Sequence, residues 1–252
     1  MISQSKIKLI NSLSKKKYRD LNQLFIAEGE KLVGDIVNSS INIKWIFATK
    51  NWIDAHKEIK ADEIQECDLI QLKKISQLKN PSPVVAICKI PSAKHCDSLF
   101  GENLTIALDD IQDPGNLGTI IRLADWFGVD YIVCSNNTAD AFNPKVVQAT
   151  MGAISRVKVI YTNLEEFIKE AKSQNIAVYG TFLDGTSIYE KRLSGHGIIV
   201  MGNEGKGISP KIENLISDKL LIPSFSLNQE FSESLNVSTA TAITLSEFRR
   251  RI

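Results

Sequence analysis

The sequence predicts an α/β protein in two parts, the larger C-terminal part built on a mostly parallel sheet. Three observations predict it. Short runs that are apolar throughout, such as Ile106-Ala107-Leu108, Tyr131-Ile132-Val133-Cys134 and Gly197 to Met201, are separated by helical segments, as in a sheet covered on both faces. Three polar loops follow such strands, where an open α/β sheet holds its ligand. The front part reads as helix, helix, strand, helix, strand and has apolar residues enough for a small core of its own.

Taken in order, Ile2 to Ser14 carries Ile7, Ile10 and Leu13 between lysines, a short amphipathic helix. Lys15 to Asn22 reads as a basic connection. Phe25 to Gly29 is a strand end or turn before a helix over Glu30 to Val37, and Ile43 to Ala48 is a strand. Glu63 to Leu78 looks helical, in one or two pieces, and Val84 to Cys88 is a strand. The expected domains are therefore 1–90 and 104–252, joined by a polar linker over 91–103.

In the second domain, a strand at Ile106 to Leu108 meets the polar loop Asp113 to Gly118, and a helix follows over Thr119 to Phe127, closed by Gly128. Asn143-Pro144 opens a helix reaching about Gly152, with Asn as N-cap and Pro at the first helical position. Strand, helix and strand follow over Arg156 to Tyr161, Leu164 to Ser173 and Ile176 to Gly180. After the Gly197 to Met201 strand come the loop Gly202 to Gly207, a short helix from Ser209-Pro210, a strand at Lys219 to Ile222 and a terminal helix over Asn236 to Arg249.

Composition narrows the function. At 252 residues and 43% hydrophobic content the chain is an ordinary globular one, and no apolar run approaches the length of a membrane span. Met1 to Ile10 lacks the apolar core of a secretory signal, so a cytoplasmic protein without a membrane partner is expected. Cys67, Cys88, Cys96 and Cys134 form no CxxC pair and read as reduced residues; His95-Cys96 adjoin with no second cluster, so no metal site is expected. The net charge is +1, but residues 1–93 hold 15 Lys and Arg against 10 Asp and Glu, while the remainder holds 15 against 19. Lys6, Lys8, Lys15, Lys16, Lys17 and Arg19 are crowded together at the front. They fit a polyanion-binding surface, and equally a solvated helical face.

The loops themselves exclude two chemistries. Gly115 and Gly118 do not make GxGxxG, and Gly202 to Gly207 lacks the GKS or GKT ending of a phosphate-binding loop. In the third loop, Ser234-Leu235-Asn236-Val237-Ser238 packs hydroxyls and an amide at a helix start, which N-capping alone would explain. Glu204 also fits a solvated turn. Arg122, between Ile121 and Leu123, fits either a surface salt bridge or a guanidinium reaching back to the first loop.

Together the three loops resemble the motifs of the SpoU/TrmH branch of the SPOUT methyltransferases. The first is Asp113-Pro114-Gly115-Asn116-Leu117-Gly118-Thr119-Ile120-Ile121-Arg122-Leu123-Ala124, the second Ile199 to Ile208 around Gly202-Asn203-Glu204-Gly205, and the third Ile222-Pro223 with Ser234 to Ala240. Residues 1–90 resemble more loosely an L30e-like substrate-binding domain, best at Phe25 to Gly29 and Pro81 to Ala86.

The resemblance implies a deep trefoil knot in the C-terminal part, a homodimer, S-adenosyl-L-methionine as cofactor and 2′-O-methylation of ribose in RNA, ribosomal by analogy. It implies catalytic roles for Asn116, Arg122, Glu204, Ser234 and Asn236, and donor contacts at Thr181, Gly202, Ile222, Leu235 and Ala240. The competing readings are a base methyltransferase of another SPOUT branch and a non-catalytic RNA-binding or ribosome-assembly protein that keeps the fold. One departure stands out: between Pro223 and Ser234 the family more often has a shorter, glycine-containing stretch than the SFSLNQEFSE found here.

Methyl transfer also needs a proton removed, and His56, His95 and His196 lie outside the motifs. An arginine has a pKa above about 12 and is no base while protonated. Arg122 would either be held deprotonated or stay charged and stabilise the developing alkoxide while phosphate or water takes the proton. Energetics favour the second.

Overall fold

The computed structural model describes residues 1–91, 103–226 and 234–250. Most of the expected linker, the His95-Cys96 pair and residues 227–233 of the unusual third-loop insertion lie outside the described residues. The chain divides into two compact units.

One unit contains residues 1–91 and, from the far side of the linker, Asp140–Arg156. Its elements are α1 (Gln4–Ser12), α2 (Lys16–Asn22), β1 (Leu24–Glu28), α3 (Glu30–Val37), β2 (Ile43–Ala48), α4 (Lys50–Ala55), β3 (Glu63–Glu66), α5 (Leu69–Lys73) and β4 (Val84–Lys89). The strands lie in the order β1-β4-β2-β3; β4 is antiparallel to both neighbours, and β2 and β3 are parallel. Ile10, Leu13, Ile26, Phe47, Leu72, Ile75 and Ile87 fill the core, so the apolar stripe of α1 faces inward as its spacing predicts.

Three readings of this part need correction. The stretch read as a connection over Lys15 to Asn22 is helix α2 from Lys16 onward, with Lys15 as its N-cap; Gln23 ends it in the left-handed region at φ 52°. Glu63–Glu66 is a strand, because pairing with β2 satisfies its backbone at a sheet edge where charged side chains remain exposed. Arg19, counted among the phosphate-binding residues, is 1% exposed. Its Nε and Nη2 donate to Asp140 Oδ2 at 2.9 and 2.5 Å, and its Nη1 donates to the carbonyls of Leu13 and Ser14. A guanidinium so enclosed cannot meet solvent phosphate. Lys6 is likewise engaged with Glu63 at 2.6 Å, whereas Lys8, Lys15, Lys16 and Lys17 are exposed.

The other unit holds β5 (Leu104–Leu108), α6 (Pro114–Trp126) and β6 (Tyr131–Ser135). After α7 (Pro144–Ala149), which belongs to the first unit, it continues with β7 (Lys158–Thr162), α8 (Leu164–Ser173), β8 (Val178–Ser187), β9 (Gly197–Met201), α9 (Pro210–Glu213), β10 (Asp218–Leu221) and α10 (Val237–Arg250). Its six strands run parallel in the order β10-β8-β9-β5-β6-β7. The parallel sheet is thus as expected. β5 and β9 are buried along their whole length, and Ala107, Val133, Phe167, Ile168, Ile198, Val200 and Ile212 pack one core cluster.

Helix α6 begins earlier than its glycines suggest. Asp113 Oδ1 accepts from the Asn116 amide at 2.8 Å, Pro114 occupies the first turn, and burial of Leu117 and Gly118 outweighs the poor helix propensity of Gly115 and Gly118. The expected helix from Pro144 stops at Ala149 and continues as a 3-10 turn over Ala153–Ser155. Cys67, Cys88 and Cys134 are buried and unpaired; burial pushes the thiols of Cys88 and Cys134 far up. Among the described residues no helix is long and apolar enough to cross a membrane.

Candidate active site

Strands β5, β9, β8 and β10 deliver their carboxyl ends to one side of the sheet. Asp109 follows β5, Gly202 follows β9, and Ile222 follows β10. Thr181 follows Gly180, the last residue of β8 to pair with β9. A cavity of about 500 Å³ lies there, lined among others by Thr181, Gly202, Glu204, Ile222, Ser234, Leu235 and Ala240. All five residues expected to contact a donor line it, with two of the five expected catalytic ones.

The loop after β9 is closed on itself. Asn203 and Gly207 exchange backbone hydrogen bonds at 3.0 and 2.9 Å, and Asn203 Oδ1 accepts from the amides of Gly205 and Lys206. Gly202 must be glycine here: a Cβ would stand 2.3 Å from the Gly207 carbonyl carbon and the Ile208 nitrogen. Two further bonds tie this loop to the end of β5. Asn203 Nδ2 donates to the Asp110 carbonyl at 2.7 Å, and Asp109 Oδ2 accepts from the Ser209 amide at 2.7 Å. Sequence reasoning gave Asn203 and Asp109 no role; the tendency of Asn and Asp to bond nearby backbone in turns was the available signal.

Three loops meet through one amide side chain. Asn116 Nδ2 donates to Glu204 Oε1 at 2.9 Å, while Asn116 Oδ1 accepts from Asn236 Nδ2 at 3.0 Å. Asn236 Oδ1 in turn accepts from Ser238, through both its amide and its hydroxyl, and from the Thr239 amide. Asn236 therefore caps α10 and orients Asn116 at once. Ser234 lines the cavity beside them and is exposed.

Arg122 stands apart within the single chain. It lies six residues after Asn116, roughly 240° around the helix, and is exposed with no hydrogen bond or ion pair to a described residue. Neither the reach back to the first loop nor the surface salt bridge is formed. It shares an exposed stripe of α6 with Thr119 and Trp126, the latter 83% exposed.

This constellation of loops is the one the sequence motifs carry, and a model of the SpoU rRNA Methylase family matches residues 103–246. The chain belongs to that family. It is a SpoU/TrmH-type methyltransferase of the SPOUT superfamily, with an N-terminal substrate-binding domain: a second model, for the MRM3-like substrate binding domain, matches residues 4–86. It is 31% identical over 248 residues to the 23S rRNA (guanosine(2553)-2'-O)-methyltransferase RlmP of Bacillus subtilis (strain 168), covering 97% of this chain and 96% of that one. Its structure is similar to that of a TrmH-family protein from Porphyromonas gingivalis, with a TM-score of 0.92, 40% identity and full coverage of both chains. An AdoMet-bound rRNA methyltransferase from Sinorhizobium meliloti superposes with a TM-score of 0.84 at 30% identity, over 100% of this chain and 97% of that one.

Proposed function

We propose that this SpoU-family methyltransferase transfers the methyl group of S-adenosyl-L-methionine to a ribose 2′-hydroxyl of structured RNA, ribosomal rather than transfer RNA, as a cytoplasmic homodimer. The observation that carries the reading is the Glu204–Asn116–Asn236 chain of hydrogen bonds beside the cavity. It fixes three polar side chains from distant loops around one space, the arrangement an orientation-limited transfer needs.

The cavity suits the donor. Its volume is in the range of small-molecule sites, its walls include Met201, Ile208, Ile222 and Val237, and its charged lining is Asp184, Glu204, Lys206 and Glu213, with Asp184 and Glu213 both paired to Lys219 outside it. Once bound, the donor supplies an electrophilic sulfonium methyl. Thr181, Gly202, Ile222, Leu235 and Ala240 enclose it, and the Ser234 hydroxyl and Glu204 orient the ribose at the open side.

The likeness to the family extends the proposal to the trefoil knot, for which the insertion of β9 between β8 and β5 in an all-parallel order is a compatible setting. It extends also to the dimer. An isologous contact along the α6 stripe would cover Trp126 and carry Arg122 toward the partner's cavity, where its charge would stabilise the developing alkoxide. RNA phosphates would meet Lys8, Lys15, Lys16 and Lys17. The preference for ribosomal RNA is supported by the Bacillus subtilis relative, which matches nearly end to end.

Mapping of 2′-O-methyl positions in total RNA, with and without the protein, tests the reaction. One ribosomal position should disappear with the protein. A lost base methylation would overturn the ribose assignment, and absence of S-adenosylmethionine binding by calorimetry would favour the non-catalytic RNA-binding alternative. Mixing Arg122→Ala and Asn236→Ala chains, each inactive alone, tests the shared site: random heterodimers should recover about a quarter of wild-type activity if Arg122 acts across the interface. No recovery would return Arg122 to its own chain.

A further inference from the structure

The cavity has one wall that the sheet alone does not hold. Strand β8 pairs with β10 at Tyr179 and Gly180 opposite Asp218 and Lys219, then again at Thr186 and Ser187 opposite Leu220 and Leu221. The residues between, 181–185, leave the ladder at the step from Lys219 to Leu220. Four of them, Thr181, Phe182, Leu183 and Asp184, line the cavity. Gly185 brings the flare back against β10, since a Cβ there would stand 2.7 Å from the Lys219 carbonyl group. A stretch of strand that falls out of register with its neighbour needs another constraint to present a fixed surface.

Lys219 supplies contacts that fit that need. Its Nζ donates to Glu213 Oε1 at 2.5 Å, lies 3.6 Å from Asp184 Oδ2, and sits 4.5 Å from the centroid of the Phe182 ring. Glu213, on α9, lines the cavity from another side, whereas Lys219 itself is not part of the lining. One ammonium thus bridges two cavity walls from behind, and the hydrogen bond to Glu213 raises the Lys219 pKa above the ordinary lysine value.

We infer that Lys219 is a positioning residue for the methyl donor: by bridging Glu213 on α9 to Phe182 and Asp184 on the β8 flare, it holds two walls of the donor cavity at a fixed spacing. The inference rests on the cavity being the S-adenosylmethionine site. It assigns Lys219 no contact with either substrate, so its influence falls on donor affinity and leaves RNA affinity alone.

Calorimetric titration of S-adenosylmethionine into full-length wild-type, Lys219→Met and Lys219→Arg proteins tests it. Methionine keeps the aliphatic length and removes the charge, and should weaken donor binding by roughly three- to tenfold, the range two partly exposed ion pairs can supply. Arginine should restore binding to within about twofold, with KM for RNA unchanged in both variants. Asp184→Asn, which leaves the Glu213 contact intact, should weaken binding less, and the double variant no more than Lys219→Met alone, because both remove one strut. Donor binding by Lys219→Met equal to wild type overturns the inference, as does failure of arginine to rescue. If Lys219→Met does not fold, wild-type affinity in Asp184→Asn overturns it instead. Wild-type protein that does not bind the donor would overturn the cavity assignment itself, a distinct result.

Discussion

Asn116 shows how a single side chain can unite a site. An amide offers both a donor and an acceptor, and here each is used on a different loop, Glu204 on one side and Asn236 on the other. An aspartate of the same shape could still accept from Asn236 but would set a carboxylate against Glu204. Asn116→Asp should therefore lower kcat on the order of a hundredfold, since a misplaced group near the reacting atoms costs about that much. Donor affinity, read by calorimetry, should stay within a few-fold of wild type because Asn116 does not line the cavity. Wild-type turnover in that variant would remove Asn116 from the machinery. At this scale the sequence was informative where several chemical functions converge in a motif, and misleading where composition was used alone. Arg19 counted as one more cation in a basic run, yet it is buried against Asp140, more than a hundred positions away in the chain.

Among the elements, β2, β4, β6, β9 and the α8 helix have nearly the bounds their periodicity predicts, because their patterns are set by burial on fixed faces, whereas β8, expected over Ile176 to Gly180, spans Val178–Ser187. The differences arise where a partner decides. Glu63–Glu66 takes its strand form from β2, and the flare of β8 is visible only in its register against β10. Helix α7 and its neighbours, expected in the second domain, form part of the first compact unit; the Phe142 and Phe25 rings lie 4.9 Å apart at a tilt of 43°, and Asp140 pairs with Arg19 at 2.5 Å. The side chains of that pair are only 2% and 14% exposed. Asp140→Ala leaves a buried guanidinium without its counter-ion and should cost about 3–5 kcal/mol of stability, measured by denaturant unfolding. A loss below about 1 kcal/mol would mean that water replaces the carboxylate there.

For the whole molecule, the charge asymmetry between the front and back of the chain becomes a statement about salt. With Arg19 and Lys6 engaged internally, four lysines remain exposed on α1, on α2 and beside them. Replacing Lys8, Lys15, Lys16 and Lys17 by alanine should weaken RNA binding and reduce the slope of log affinity against log salt by up to about three, with donor binding unchanged. An unaltered slope would move the RNA contact elsewhere. This substitution is a cleaner test than deleting residues 1–90, which would strip Asp140–Arg156 of its packing partners. The amino-acid sequence by itself determined the parallel α/β class, the three polar loops and the identity of the residues in them, because periodicity and motif chemistry are local properties of a chain. Only the tertiary structure decided which of those residues share a cavity, that Asn203 and Asp109 lock its loops, that Arg122 stands off it within one chain and that Lys219 contacts Glu213, Asp184 and Phe182. Those are facts about distances between segments far apart in sequence, and they are set by the strand order of the folded sheet.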